Sequence, residues 1–548
     1  MTASTGARPA RCEDGRMADS TDTGHGADAL LRARRTRVTV VGGGVAGLVA
    51  ALEWAKIGAH VTVCEAGGRL GGALETADLD GIPIDLVADA FSLSAPALGG
   101  LIDDLRLRDR VEEATPLPVV LAGAPGRASG IVPLPEQTVL GIPANPWAED
   151  VRRVIGWSGA WRAYLDRLRP PLTIGHERSL GRLVRQRMGD RVADRLVAPV
   201  TRGLYGVGPD EVDVEAAAPG LSTALTRTGS LAGAVFDLLP PEGHASARRA
   251  TLRGGFGALA TALAERLLDL GADLRVGHPV TSIAPGPDGT WTVWAAPVDG
   301  AMDAEATAAP DGEPFPDPAA RPAADSGAAD LTLDADVVIV ATGAAAATAL
   351  LSGLGVEVSA HPAPVRDVVD LVVGASALAA GARAVCPVAA GGETAASAPL
   401  ATNPPAALSV TFPSAEWPWL GAAAGPERQV MRVTLAADAT RSHAATIDAA
   451  VAAASALLGT PLGSPRAAAR RTIVLEPPAS VIGHDDRVAA LRGAVAARPG
   501  LAIVGAWVSG GGVAQVVADA VAETDRVRSA VLWGPPADPD DADPTAAR

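Results

Sequence analysis

Lysine is all but missing from these 548 residues: Lys56 is the only one, so arginine carries the positive charge. Aromatic residues make up 3%, with only two tyrosines, and there are three cysteines. Each shortage excludes something. Cys12, Cys64 and Cys386 stand far apart, with neither CxxC nor metal-ligand spacing. That argues against a disulfide framework and against a cysteine-held metal, and it fits a reducing cytoplasm. Cys64 closes an apolar run and reads as a small core residue. The formal charge of −16 disfavours both a nucleic-acid backbone and an anionic membrane surface as partners. The first 36 residues contain no apolar stretch of the signal-peptide kind. The uncharged run 337–356 is long enough to span a bilayer, yet it breaks into Val337-Val-Ile-Val, then Ala-Thr-Gly, then small residues ending at Leu350-Leu351. This predicts a buried strand, a turn and a short helix rather than a membrane span.

What is present is apolar bulk. Hydrophobic residues make up 48%, and a chain of this length can bury a large core divided over more than one domain. Residues 1–36 read as a disordered tail, and 533–548 as a second. Residues 296–330 are Ala, Pro, Asp and Gly with few large apolar side chains, too little to offset ordering entropy. They read as a flexible insertion between two strands. From 145 to 235, apolar residues recur at three and four, as in Ser179-Leu-Gly-Arg-Leu-Val, which predicts helices.

The segment from Arg37 to Glu65 is more specific. Val38-Thr-Val-Val predicts a strand, Leu48 to Lys56 a helix ended near Gly58, and His60-Val-Thr-Val-Cys the next strand. Between the first strand and the helix, Gly42-Gly43-Gly44-Val45-Ala46-Gly47 fits GxGxxG. Gly42 permits the tight turn, Gly44 lets a pyrophosphate approach the backbone, and Gly47 lets helix and strand pack closely. The helix N-terminus adds unpaired N–H groups and positive potential. Glu65 stands where a carboxylate accepts from ribose hydroxyls. This is a dinucleotide site, and the acidic residue favours a free 2′-hydroxyl.

The residues after Glu65 separate NAD from FAD. Glu65-Ala66-Gly-Gly-Arg69-Leu-Gly71-Gly72 resembles the E-A-x-x-R-x-G-G extension of the flavin amine oxidase superfamily, which implies FAD. In that superfamily the arginine and paired glycines lie along the pyrophosphate and the flavin side. Further along, the chain resembles the protoporphyrinogen/coproporphyrinogen III oxidase family, actinobacterial coproporphyrinogen type, from about Val38 to Val527. The resemblance rests on Ile84-Asp-Leu-Val87-Ala88-Asp89-Ala90-Phe91, Arg195-Leu-Val-Ala-Pro199 with Gly203-Leu-Tyr205-Gly, and Gly254-Gly-Phe-Gly-Ala-Leu. It rests also on Ala335-Asp-Val-Val-Ile-Val-Ala-Thr, Glu416-Trp417-Pro418, and Gly505-Ala-Trp507 through Gly512-Val513-Ala514-Gln515. Val87 stands where that family has glycine, Gly343 and Ala514 where it has proline, Glu416 where it has lysine, and Ile473 and Ser480 where Trp and Tyr are frequent.

The resemblance implies an α/β fold: a Rossmann-like FAD-binding domain with a mixed-sheet substrate domain and a helical subdomain. The FAD domain would be assembled from 37–95, 221–345 and 485–532, the helical subdomain from 96–220 and the substrate domain from 346–484. FAD would be held by Gly42, Gly43, Gly44, Val45, Ala46, Gly47, Glu65, Ala66, Arg69, Gly71, Gly72, Val87, Ala88, Asp89, Ala90, Val280, Gly505, Trp507, Val513, Ala514 and Gln515.

The implied chemistry is aerobic oxidation of coproporphyrinogen III to coproporphyrin III in haem biosynthesis, with porphyrinogen and molecular oxygen as partners. Alternatives are a protoporphyrinogen IX oxidase, another amine oxidase or desaturase-type flavoenzyme, or a non-catalytic FAD-binding relative. The implied location is the cytoplasm, with room for peripheral membrane contact and for a downstream haem-pathway enzyme. No catalytic acid or base is assigned and no metal is expected, because the flavin carries the hard step. His484 reads as structural. Arg202, Arg227, Arg249 and Arg253 are candidates for the substrate's propionates, and Trp417 and Trp419 for a flat ring.

Overall fold

The computed structural model describes residues 22–123, 130–169, 177–239, 248–297, 331–361, 363–375, 381–388, 407–476 and 478–533. At its centre is a five-stranded parallel sheet in the order Asp273–Arg275, His60–Cys64, Arg37–Val41, Val337–Val340, Leu501–Ile503. The apolar runs explain the placement. Val38 lies between Val61 and Val337, and Val40 between Val63 and Ile339, so the inner strands face protein on both sides. The helix Val45–Ala55 is apolar nearly all round, with Leu48, Leu52 and Trp54 fully buried. It is covered by the helices Gly257–Asp269 and Val513–Trp533. The strand Val337–Val340 and the helix Ala344–Ser352 occupy the run that was long enough for a membrane span. Among the described residues no helix is long and apolar enough to cross a membrane.

The second layer is a seven-stranded mixed sheet in the order Ala467–Val474, Val365–Gly374, Arg428–Ala436, Ser409–Thr411, Ala384–Pro387, Val119–Ala122, Ile131–Pro133. One face carries Val369, Leu371, Val433 and Leu435 under the helix His443–Leu458. The other carries Arg366, Asp370 and Arg432 and looks toward the cofactor domain. A third body is helical, built from Glu149–Tyr164, Leu180–Met188, the run 190–205, Leu221–Thr228 and Leu231–Leu238 around one apolar cluster. Within the run, Ala193–Val197 widens to a π turn just ahead of Pro199. Proline has no N–H for the Arg195 carbonyl, so the regular ladder cannot continue there.

Four expected boundaries need correction. The tail expected over 1–36 contains the helix Asp22–Ala33, which buries Ala29 and Ala33 against Leu532. Its leucines are largely exposed, so a narrow alanine stripe, easily missed among so many alanines, makes the contact. The helical subdomain expected over 96–220 holds five short strands between Val111 and Pro143, two of which extend the seven-stranded sheet. Val119-Val-Leu-Ala is simply a fully buried strand. The second FAD segment begins at the strand Arg249–Leu252 rather than at 221, because Leu221, Leu225, Leu231 and Val235 pack into the helical cluster. The segment expected over 533–548 starts with Trp533, the last residue of a helix; its remainder, and 298–330 of the expected insertion, lie outside the described residues.

Candidate functional site

The Gly42–Gly47 turn joins the central strand to the buried helix, and each glycine is fixed by a different neighbour. Gly42 has φ 108°, and a Cβ there would lie 2.7 Å from the Ala341 carbonyl oxygen. A side chain at Gly47 would run into the Gly42 carbonyl oxygen. The Gly43 N–H donates to Glu65 Oε2 at 2.6 Å, while Glu65 Oε1 accepts from the Gly67 N–H at 2.7 Å. Glu65 thus ties the first loop to the second, and Gly71 N–H completes the tie by donating to the Gly43 carbonyl at 2.8 Å. Gly44 is different: nothing lies within 4 Å of where its Cβ would be. It is the N-cap of the buried helix, with no side chain capping it, so the first-turn N–H groups face that space.

The wall beside this turn is Ala341-Thr342, just after the strand Val337–Val340. Trp507 Nε1 donates to the Thr342 carbonyl at 2.9 Å, and the Thr342 hydroxyl is buried without a hydrogen-bond partner. A buried orphan hydroxyl carries a cost that a ligand atom can remove. Free helix-end donors, open space at Gly44, a carboxylate ordering both glycine loops and an orphan hydroxyl together fit the ADP half of FAD. In the sequence Thr342 is marked only by the Ala-Thr-Gly turn that follows the strand Val337–Val340.

Of the remaining expected cofactor residues, Gly71 adjoins this turn and Trp507 the Thr342 wall, while Val87, Ala90 and Val280 pack on other apolar clusters. Ala66 follows Glu65 in the second loop, and Gly71 and Gly72 have φ 102° and 56°. Arg69 turns along its own loop, donating to the Gly72 carbonyl at 2.5 Å and to Glu75 Oε2 at 2.9 Å. Glu75 is shared with Arg471 of the seven-stranded sheet, and these arginines hold its carboxyl below the usual range against burial that raises it. Ala88 N–H donates to the Ala73 carbonyl at 3.1 Å, and Asp89 accepts from Arg432 at 3.1 Å. Val87 and Ala90 lean on a cluster containing Trp417. Val280 opens the strand Val280–Pro285. Gly505 has φ 141°, Val513 and Ala514 are buried at the start of the helix Val513–Trp533, and Gln515 is exposed with its amide over Gly512. His484 is buried with Nε2 against the Val508 carbonyl at 2.9 Å, which pins the short helix Ala506–Ser509.

The sheet face toward the cofactor domain holds a buried charge cluster that sequence reasoning missed. Arg432 Nε donates to Asp370 Oδ1 at 2.9 Å, and the same guanidinium bonds the Asp85 carbonyl. Burial pushes Asp85 up to about 7, against donors from Thr76 and Phe256. Asp370 is pushed up to about 6 for the same reason, opposed by Arg432.

The four candidate arginines separate. Arg227 pairs with Asp237, Arg249 pairs with Glu416 and lies 5.5 Å from the Trp417 ring, and Arg253 is exposed and bonds the Asp109 carbonyl. Arg202 has no ion pair among the described residues. Trp417 is core, whereas Trp419 is partly buried.

The flavin containing amine oxidoreductase family matches residues 45–356, more than half of the chain. The pyridine nucleotide-disulphide oxidoreductase family matches residues 3–79. A coproporphyrinogen III oxidase of Mycobacterium tuberculosis is 34% identical over 233 residues, 41% of this chain and 50% of that protein. One from Propionibacterium freudenreichii is 29% identical over 304 residues, 48% of this chain and 56% of that protein. The chain thus spans about half the length of the curated relatives it matches. Among solved structures, a candidate protoporphyrinogen oxidase from an Exiguobacterium species superposes with a TM-score of 0.69 at 21% identity, over 90% of this chain and 98% of that one.

Proposed function

This chain belongs to the flavin containing amine oxidoreductase family, with FAD as its cofactor, and we propose that it oxidises coproporphyrinogen III to coproporphyrin III with oxygen as the final acceptor. The observation that carries the reading is the double glycine loop locked by Glu65, in a chain whose coproporphyrinogen-oxidising relatives reach 34% identity. When bound, FAD accepts the hydride equivalents and passes the electrons to oxygen.

The protein's own share is binding and orientation. Helix-end donors beside Gly44 take the pyrophosphate, and Glu65 takes the ribose hydroxyls, exchanging its hold on the loop N–H groups for a shared one. On the face that also carries Arg366, Asp370 and Arg432, Val368 and Ile473 offer apolar contacts for a flat macrocycle. Loss of the pyrrole protons accompanies aromatisation, so no strongly basic side chain is required. The place of action we assign is the cytoplasm, in haem synthesis.

The test is to mix FAD-loaded protein with coproporphyrinogen III and, separately, protoporphyrinogen IX in air, following porphyrin fluorescence. Rapid gain with coproporphyrinogen alone is the expected result. Gain with protoporphyrinogen alone moves the enzyme to the other substrate. No gain over the protein-free control with either, while FAD stays bound, rejects the oxidase and leaves the amine oxidase, desaturase and carrier readings.

A further inference from the structure

Most of the deeply placed arginines hold a carboxylate: Arg187 with Asp166, Arg432 with Asp370, Arg470 with Asp367, Arg471 with Glu75. Several part-buried ones do not, Arg202 and Arg366 among them. Arg202 makes no ion pair or hydrogen bond among the described residues, and Arg366 reaches only its neighbour's carbonyl, at Val365, at 3.4 Å. Burial pulls both guanidinium groups down from the usual arginine range. Asp194, Asp210 and Glu211 act on Arg202 from a distance only; no carboxylate offsets the burial of Arg366.

The two lie on facing elements. Arg202 is on the helix Ala198–Tyr205, which rides over the seven-stranded sheet: a Cβ at Gly203 would lie 2.6 Å from Cys386 Sγ, and one at Gly206 would collide with the Leu475 side chain. Leu475 N–H donates to the Pro364 carbonyl at 3.0 Å, next to the start of the strand Val365–Gly374. The second residue of that strand is Arg366, paired in register with Ile473 and Ala436. Strand alternation puts Arg366 on the face of Val368 and Asp370, the one turned to the cofactor domain, and away from the helix His443–Leu458. The helix that carries Arg202 and the strand start that carries Arg366 therefore both reach Leu475.

We propose that Arg202 and Arg366 are a two-point anchor for carboxylates on the rim of the substrate, so that the site selects porphyrinogens by their acidic side chains. This rests on the porphyrinogen reading above. Leaving a desolvated guanidinium unpaired costs stability, and a ligand carboxylate restores the partner through bidentate bonds. A stem-preserving change, Arg202→Met or Arg366→Met, removes a charge that makes no ion pair among the described residues of the unliganded protein.

The experiment measures binding of coproporphyrin III and of its tetramethyl ester to FAD-loaded protein by fluorescence, together with KM and kcat for coproporphyrinogen III. Each single variant is expected to bind coproporphyrin III about ten- to a hundredfold more weakly, the loss of one charge-assisted contact. KM should rise with kcat less affected, ester binding should stay unchanged, and unliganded melting should stay level or rise. Arg366→Lys should recover part of the affinity. If wild type and variants bind coproporphyrin III equally while turnover persists, the anchor is wrong and the oxidase reading survives. Equal losses for acid and ester show a packing role and also reject the anchor. A wild type that neither binds nor oxidises either porphyrinogen overturns both.

Discussion

Arg432 Nε lies 2.9 Å from Asp370 Oδ1, and the same buried guanidinium reaches Asp89 at 3.1 Å, joining the seven-stranded sheet to the loop expected beside the flavin. Arg432→Met would leave Asp370 as an uncompensated buried charge. We expect a loss of about 3–5 kcal/mol and release of FAD at lower temperature. The double change with Asp370→Leu should recover much of the stability without restoring cofactor retention, because Asp89 stays unanchored. Thermal melting with flavin fluorescence reads both.

Asp85 gives a pH signature. Its folded value, pushed up to about 7 by burial, lies above the ordinary aspartate value of 3.8. Between those values the folded chain holds a proton that the unfolded chain has released. This group's contribution to stability is therefore present at low pH and is lost as pH rises toward 7. Asp85→Asn should remove that part of the slope. Melting curves of both proteins from pH 4.5 to 8, roughly the span over which the group titrates, decide it: parallel profiles would reject the assignment.

Gly44 and Gly47 should behave oppositely. Gly47→Ala forces a Cβ against the Gly42 carbonyl and should destabilise the protein with or without FAD. Gly44→Ala meets open space, so the unliganded protein should melt as before. Its FAD affinity should fall tenfold or more, since that space is where phosphate must approach. Calorimetric titration with FAD separates the two.

The pairing of Arg249 with Glu416 explains the departure from the family's lysine at that position. Glu416→Lys, which restores the family residue, sets two cations together around a side chain that is 4% exposed. We expect a loss of about 3 kcal/mol or more, and substantial recovery when Arg249→Glu is added. Chemical denaturation of the single and double variants measures the coupling.

The cofactor half of the site was legible because its residues are local. The strand, turn, helix and acidic strand end fall within thirty residues, and each glycine has one steric reason. Thr342 and Trp507 were harder, since they meet the turn only through sheet neighbours far along the chain. The Asp85–Asp370–Arg432 cluster was not legible: a buried charge network is written in sheet register, and Asp370↔Arg432 exists only once two long strands align. The four candidate arginines could not be ranked by sequence either, because pairing with Asp237 or Glu416 depends on tertiary placement. Arg366 is unmarked in the sequence for the converse reason: a single arginine at the start of a valine-rich strand has no motif around it.

The strand order has a consequence for synthesis. Arg37–Val41 leaves the ribosome among the first structured segments, yet one of its sheet partners is Val337–Val340, and the adjacent strand is Leu501–Ile503. One of the two helices that cover Val45–Ala55 is Val513–Trp533, the last among the described residues. At typical translation rates the glycine turn waits on the order of a minute for the residues that enclose it. The nascent chain therefore has no finished flavin pocket until the helix Val513–Trp533 has emerged. The early valine strands spend that interval with open edges, exposed to whatever holds or traps unfinished chains in the cell.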